Sequence, residues 1–150
     1  MGEEEDFTTT ITVDRTPKQV FAAVTDTRGW WSQQIDGGTA ELGDEFTYAF
    51  GEEHRCTMKL TEVEPDAKVV WRVLENYFSF TQDRTEWTGT DVVFEISEND
   101  EGTQLRFTHR GLGPEYECYD TCSKAWGFYV NESLRDLITT GVGKPNPKAA

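Results

Sequence analysis

Between Phe7 and Asp14 the chain reads FTTTITVD, alternating threonine with apolar or β-branched residues in the period-two pattern of a half-buried strand. The TPKQ that follows predicts a helix start, with Thr16 as N-cap, Pro17 at the first helical position and Gln19 placed to bond back to the cap. Val20, Phe21 and Val24 continue at helical spacing. The glycine of TRGWW ends that helix near Asp26, and Trp30 and Trp31 open a second short one. From Glu45 the pattern returns to strands. Phe46, Tyr48 and Phe50 share one face, Cys56, Met58 and Leu60 share another, and GEEH joins the two as an antiparallel hairpin. After the turn EPDAK, Val69, Trp71 and Val73 alternate with Val70, Arg72 and Leu74, so both faces are largely covered and the strand is central. The stretch from Asn76 to Thr90 carries Tyr77, Phe78, Phe80 and Trp87 without a sustained period and reads as a ring-bearing loop or irregular strand. Val92, Phe94 and Ile96, then Leu105, Phe107 and His109, give a further hairpin across ENDEG.

The segment from Cys118 to Gly141 predicts one long helix. At 3.6 residues per turn Trp126, Tyr129, Val130, Leu134, Leu137 and Ile138 fall on one broad apolar face that spans about half the circumference, wider than a core-facing stripe needs. Gly141 supplies a stop. An open antiparallel sheet with one apolar face needs a cover, and this helix is the element long enough to provide it. The chain is therefore expected to form one α+β domain over residues 1–150, with the acidic residues 1–6 and the tail 144–150 flexible. The sheet has about six strands, and one or two short helices follow the first of them.

Composition narrows the partners. With 28 acidic against 14 basic residues the formal net charge is −14, which repels phosphate backbones and anionic headgroups. No apolar run approaches the roughly 20 residues that span a bilayer, and the acidic MGEEEDF is unlike a secretory leader. The expectations are no nucleic acid, no membrane insertion and a cytoplasmic protein. Cys56, Cys118 and Cys122 are too few for a secreted disulfide framework, so reduced thiols are expected.

The order and spacing of ITVDRTPKQVFAAVTD, EVEPDAKVVWRV, GTQLRFTHRGL and AWGFYVNESLRDLITTG carry a resemblance over nearly the whole chain. It is to the START-like or SRPBCC superfamily with its helix-grip (Bet v 1/START-like) fold. Within that superfamily the chain resembles the C-terminal domain of the activator of Hsp90 ATPase homologue. The resemblance implies a curved sheet wrapped around the C-terminal helix and a cavity between them, used in various members for lipids, polyketides, hormones or other apolar molecules.

Eleven rings are candidates for that cavity: Trp30, Trp31, Phe46, Tyr48, Trp71, Phe80, Trp87, Phe94, Phe107, Trp126 and Tyr129. Each is equally a core residue by period, but buried Tyr and Trp need partners for their polar atoms, so the set favours a chamber with water or ligand inside. His109 lies in phase with Leu105 and Phe107, which makes it either a satisfied core histidine or a polar anchor at the cavity mouth. His54, in a turn, is expected to be exposed. Leu134, Leu137 and Ile138 are expected to press on the sheet, with a looser, chamber-lining half near Trp126, Tyr129 and Val130. The four-residue spacing of Cys118 and Cys122 with His109 upstream falls short of a closed metal shell, and neither metal nor cofactor is expected. No nucleophile–base motif or phosphate loop stands out. Three functions remain open: a binding protein for a small, lipid-like or aromatic apolar molecule; a protein-interaction role on a chaperone, as the resemblance implies; and a cavity-based enzyme such as a cyclase or hydrolase.

Overall fold

The computed structural model describes residues 7–50, 52, 54–79, 81, 82, 85, 87–113, 117 and 119–146. Strand β1 (Phe7–Val13) leads into helix α1 (Pro17–Thr25) and the single turn α2 (Thr27–Trp30). Strands β2 (Ile35–Gly37), β3 (Glu45–Phe50), β4 (His54–Glu64), β5 (Lys68–Phe78), β6 (Asp91–Asn99) and β7 (Gly102–Arg110) follow. The C-terminal helix begins as α3 (Tyr119–Phe128), passes through a π-helical segment (Tyr129–Leu134) and ends as α4 (Arg135–Thr140).

All seven strands form one sheet in the order β1-β7-β6-β5-β4-β3-β2, and every neighbouring pair is antiparallel. The N-terminal strand thus closes on the C-terminal one, with Ile11 opposite Leu105 and Val13 opposite Thr103. Curvature comes from β4 and β5, the longest strands. Their register slips between Thr57 and Met58 and again between Leu60 and Glu62, and such bulges bend a strand and increase its twist. The concave face is apolar and holds the C-terminal helix, giving the helix-grip α+β arrangement.

Local chemistry sets the elements. The α1 capping box forms as its sequence predicts: Gln19 N–H donates to Thr16 Oγ1 at 3.2 Å, and Thr16 N–H donates to Gln19 Oε1 at 3.0 Å. The second short helix opens at Thr27 instead of at the tryptophans and ends as Trp31 N–H reaches the Thr27 carbonyl at 2.8 Å. That places Trp30 and Trp31 at the hinge between helix and sheet, both fully buried. Trp31 stacks on Tyr48 at 4.1 Å and on Trp71 at 5.6 Å, and Trp30 stacks on Trp71 at 6.3 Å.

The sheet has one strand more than the sequence pattern implies. Strand β2 is three residues long and pairs Ile35 with Tyr48, too short to show alternation. Asn76, Tyr77 and Phe78 belong to β5, with Asn76 and Phe78 turned inward and Tyr77 outward. Phe80 and Cys118 lie outside the described residues, as do residues 1–6 and 147–150.

The long helix is not a plain α-helix. Its buried residues include Cys122, Trp126, Val130, Leu134 and Ile138, a repeat of four. A straight α-helix at 3.6 residues per turn rotates such a stripe by about 40° at each step. The wider i→i+5 turn of a π segment takes up that drift, so residues on either side of it face the same sheet. The apparent width of the apolar arc is the trace of this longer period. Leu137, placed off the stripe, is only partly buried, while Leu134 and Ile138 are core.

Gly141 ends the helix in the left-handed region at φ 88°, donating to the Leu137 carbonyl at 3.0 Å. The expected flexible tail is corrected for Lys144–Asn146. Lys144 N–H donates to Ser133 Oγ at 2.7 Å, Gln33 N–H donates to the Asn146 carbonyl at 2.8 Å, and Asn146 N–H donates to the Trp31 carbonyl at 3.0 Å. The reason is backbone complementarity, not apolar content. Gly143 lies so close to Gly29 that a Cβ there would stand 2.3 Å from the Gly29 carbonyl oxygen, and Ser133 Oγ in turn donates to the Trp30 carbonyl at 2.6 Å.

Leu134→Ala removes a fully buried side chain from the stripe and is expected to cost about 2–5 kcal/mol in urea unfolding. Val142→Ala, at a residue 72% exposed, is expected to stay within about 0.5 kcal/mol of the unmodified protein.

Candidate functional site

One cavity of about 240 Å³ lies between the concave sheet and the N-terminal half of the C-terminal helix, lined by Trp31, Tyr48, Phe50, His54, Phe78, Trp87, Thr121, Cys122, Ala125, Trp126 and Tyr129. The walls are mostly apolar. Phe50, 45% exposed, and the exposed Thr121 mark where it opens to solvent.

Trp31, Tyr48, Trp87, Trp126 and Tyr129 are the sequence candidates that the fold gathers here. Trp30, Phe46, Trp71, Phe94 and Phe107 are buried behind them as core, and Val130 is fully buried one turn along the helix without bordering the cavity. The looser half of the helix is therefore confined to α3 and Tyr129. Phe50, Phe78, His54, Thr121, Cys122 and Ala125 line the cavity without having been singled out for it. Phe50 sits in phase with Phe46 and Tyr48, so its signal was present in the alternation. Cys122 and Ala125 flank Trp126 on the cavity side of α3, and the exposed Thr121 stands at its rim.

His109 does not border the cavity. It is fully buried one layer behind, where its hydrogen bonds fix both its tautomer and its neighbours. Trp126 Nε1–H donates to Nδ1 at 3.1 Å, which leaves Nε2 to carry the proton and donate to Thr90 Oγ1 at 2.8 Å. The Thr90 hydroxyl then donates to the Trp87 carbonyl. This chain stitches the helix, β7 and the loop before β6 together and holds Trp87 and Trp126 stacked at 5.6 Å with 13° between their planes. Burial, aided by the neighbouring His54, pulls the imidazole down to a pKa of about 3, so it is neutral at ordinary pH.

His54 is a correction to the expectation of an exposed turn residue. It begins β4, and its ring packs against Phe78 at 4.3 Å, Trp87 at 4.7 Å and Tyr48 at 5.3 Å. Nε2 lies 2.9 Å from Asn76 Oδ1 on the adjacent strand. Burial lowers its pKa to about 4, against the opposing pull of the Asn76 bond. The hairpin turn reads as polar, but the cross-strand pairing with Phe50 and Phe78 draws the histidine inward.

Polar groups are few and placed. Asn146 Nδ2–H reaches Tyr129 Oη at 2.7 Å and Tyr48 Oη at 3.4 Å, so the docked tail gathers the two cavity phenols. Burial raises the Tyr48 hydroxyl pKa far above the ordinary phenol value, as it does the Cys56 thiol's, so both stay protonated. Among the described residues no group of three or more His, Cys, Asp or Glu is placed to hold a metal ion, and no helix is long and apolar enough to cross a membrane.

Both imidazoles have folded pKa values below the ordinary 6.5, so unfolding takes up protons once the pH falls under that value. Their contribution to stability is complete above pH 6.5 and is lost progressively towards pH 4 for His54 and pH 3 for His109. Each imidazole costs about 1.4 kcal/mol per pH unit in that window. Urea midpoints measured from pH 7 down to 5 are expected to fall with an uptake approaching about two protons, reduced to about one in His54→Asn. A slope unchanged by that substitution would place the His54 ring in water.

A family model described as Activator of Hsp90 ATPase homolog 1-like protein matches residues 14–139. No curated protein matches this sequence. Among solved structures, the Aha1 dimer from Colwellia psychrerythraea is similar at a TM-score of 0.73 and 22% identity, over 92% of this chain and 98% of that one. Protein MLL2253 from Mesorhizobium loti is similar at 0.70 and 14% identity, over 89% and 95%. DynU16, from the dynemicin biosynthetic locus, is similar at 0.70 and 16% identity, over 96% of this chain and 51% of that one. At these identities the structural likeness speaks for the fold, while the match along residues 14–139 speaks for the sequence, and together they place this chain in the activator of Hsp90 ATPase homolog 1-like family, a START-like helix-grip domain.

Proposed function

We propose that this protein binds a small, largely apolar aromatic molecule in the chamber between the sheet and α3. The observation that carries the reading is a space of about 240 Å³ walled by Trp31, Tyr48, Phe78, Trp87, Trp126 and Tyr129. A packed core interdigitates with few voids larger than a water molecule, so ring-walled space of this size, open at one end, is what a ligand would fill. Its volume lies below the roughly 300–1,000 Å³ of drug-sized sites, which points to a compound of one or two rings. Flat aromatic walls favour stacking with another ring over contact with a flexible aliphatic chain. DynU16, similar in fold, belongs to the dynemicin biosynthetic locus, which fits a small-molecule use of the cavity.

Trp126 is a poor residue for testing the idea because its indole is bonded to His109 and packs on Phe107 at 4.7 Å. Ala125 is better: it is half-buried and lines the cavity from α3 with a methyl group that carries no polar atom. Tetralin, a neutral bicyclic hydrocarbon, is expected to quench or shift the emission of the lining tryptophans on titration, and Ala125→Phe is expected to weaken its binding at least about tenfold, or 1.4 kcal/mol. Equal affinity in the folded variant would remove the ligand from this chamber. The family description supports chaperone action as the second reading. ATPase stimulation of an Hsp90-type chaperone, undiminished in Ala125→Phe, would move the function to the protein's surface.

A further inference from the structure

Two phenols and one amide meet at the inner wall of the chamber, and their protons can be counted. Asn146 Nδ2 carries two hydrogens, directed at Tyr129 Oη at 2.7 Å and Tyr48 Oη at 3.4 Å. Each phenol oxygen therefore accepts a bond from the amide, and each hydroxyl still has its own proton to place. Burial holds the Tyr48 hydroxyl protonated, and the Tyr129 hydroxyl is the neighbour that could receive that proton. Even when one phenol donates to the other, one of the two protons is left over. Tyr48 is 2% exposed, Tyr129 is half-buried, and both line the cavity, so that proton, on Tyr129 when Tyr48 donates, sits at the chamber wall. A donor facing an apolar chamber without an acceptor is costly, and a ligand oxygen relieves the cost.

From this proton count we propose, resting on the binding reading above, that the chamber selects aromatic compounds bearing a carbonyl oxygen. The phenol pair is the donor, and Asn146 on the docked C-terminal segment is the residue that determines this specificity. The residue acts by position. Its backbone is held to Trp31 and Gln33 by bonds of 3.0 Å and 2.8 Å, and its amide presents only N–H to the phenols. An acceptor at the same place would take up the hydroxyl protons and leave none for the ligand. Asparagine to aspartate makes that exchange at constant shape.

The test compares 1-tetralone with tetralin, a pair that differs by a carbonyl in place of a methylene. The measured quantity is the ratio of their dissociation constants, read by tryptophan fluorescence or calorimetry in the unmodified protein, in the double variant Tyr48→Phe with Tyr129→Phe, and in Asn146→Asp. The preference for the ketone is expected to fall by about three- to tenfold in each variant, the worth of one neutral hydrogen bond. An unchanged ratio in either variant, with tetralin still bound, overturns the proposal and leaves the chamber reading standing. If neither compound binds the unmodified protein, both fall together. The double variant retains both rings, against Trp31 at 4.1 Å and Trp126 at 6.2 Å, so the experiment does not depend on the aspartate variant alone.

Discussion

The arrangement depends on keeping one imidazole dry. His109 is fully buried and neutral, and it spends both of its nitrogens: Nδ1 receives the Trp126 indole proton and Nε2 gives its own to Thr90. Because each nitrogen has one partner, the ring has one tautomer and one orientation, and Trp126 and the Trp87 segment inherit theirs from it. Two large rings from different parts of the chain are thereby set nearly parallel. A histidine with a spare nitrogen would need a water to fill it, and a protonated one would have no acceptor for the Trp126 indole. Neutrality follows from burial, and burial follows from the rings that the bond pattern fixes.

A second constraint decides where space remains. The C-terminal half of the long helix is held by several independent contacts. Ser133 bonds the Trp30 carbonyl, the backbone of Lys144 bonds Ser133, and Gly143 lies against Gly29 with no room for a Cβ. Leu134 and Ile138 sit on the sheet beneath. The π segment then re-phases the helix so that Cys122 and Trp126 face inward as well, but across a gap that Ala125 and Thr121 are too small to close. Helices with π turns often carry function at them. Here the turn begins at Tyr129, one of the residues that line the cavity.

Much of this architecture was legible in the sequence because it rests on repeating signals. Alternation gave β1, β3, β4, β6 and β7, and the Thr16–Gln19 capping box gave the start of α1. The need of a one-faced sheet for a cover pointed to its wrapping around the last helix, and the family resemblance agreed. What stayed hidden has no period. Strand β2 is three residues of IDG whose pairing is written in β3. His54 turns inward because its cross-strand neighbours are phenylalanines, a fact of register that a single segment does not hold. The helix had the reverse problem: its repeat of four was present, but forcing it onto 3.6 residues per turn spread the stripe into a wide arc and obscured the π segment. The ring list named the cavity's stacked walls and equally named the core behind them, since period alone cannot separate a buried ring facing space from one facing another ring.

The docked tail shows how a segment with no apolar residues becomes part of a site. Hydrophobic content is the usual sign that a terminus will be ordered, and GKPNP has none to offer. Its attachment comes from backbone groups instead. The carbonyls of Trp31 and Gly29 and the N–H of Gln33 sit where the chain leaves α2, and each would otherwise need a partner or close-packed neighbour. Meeting that need places Asn146 beside two phenols that lie nearly 100 and 17 residues earlier in sequence, with separations of 98 and 17 positions. The same segment that closes the outer surface over α2 therefore fixes the polar character of the chamber's inner wall. In this fold the stability of the helix end and the chemistry of the cavity are set by one short stretch of backbone.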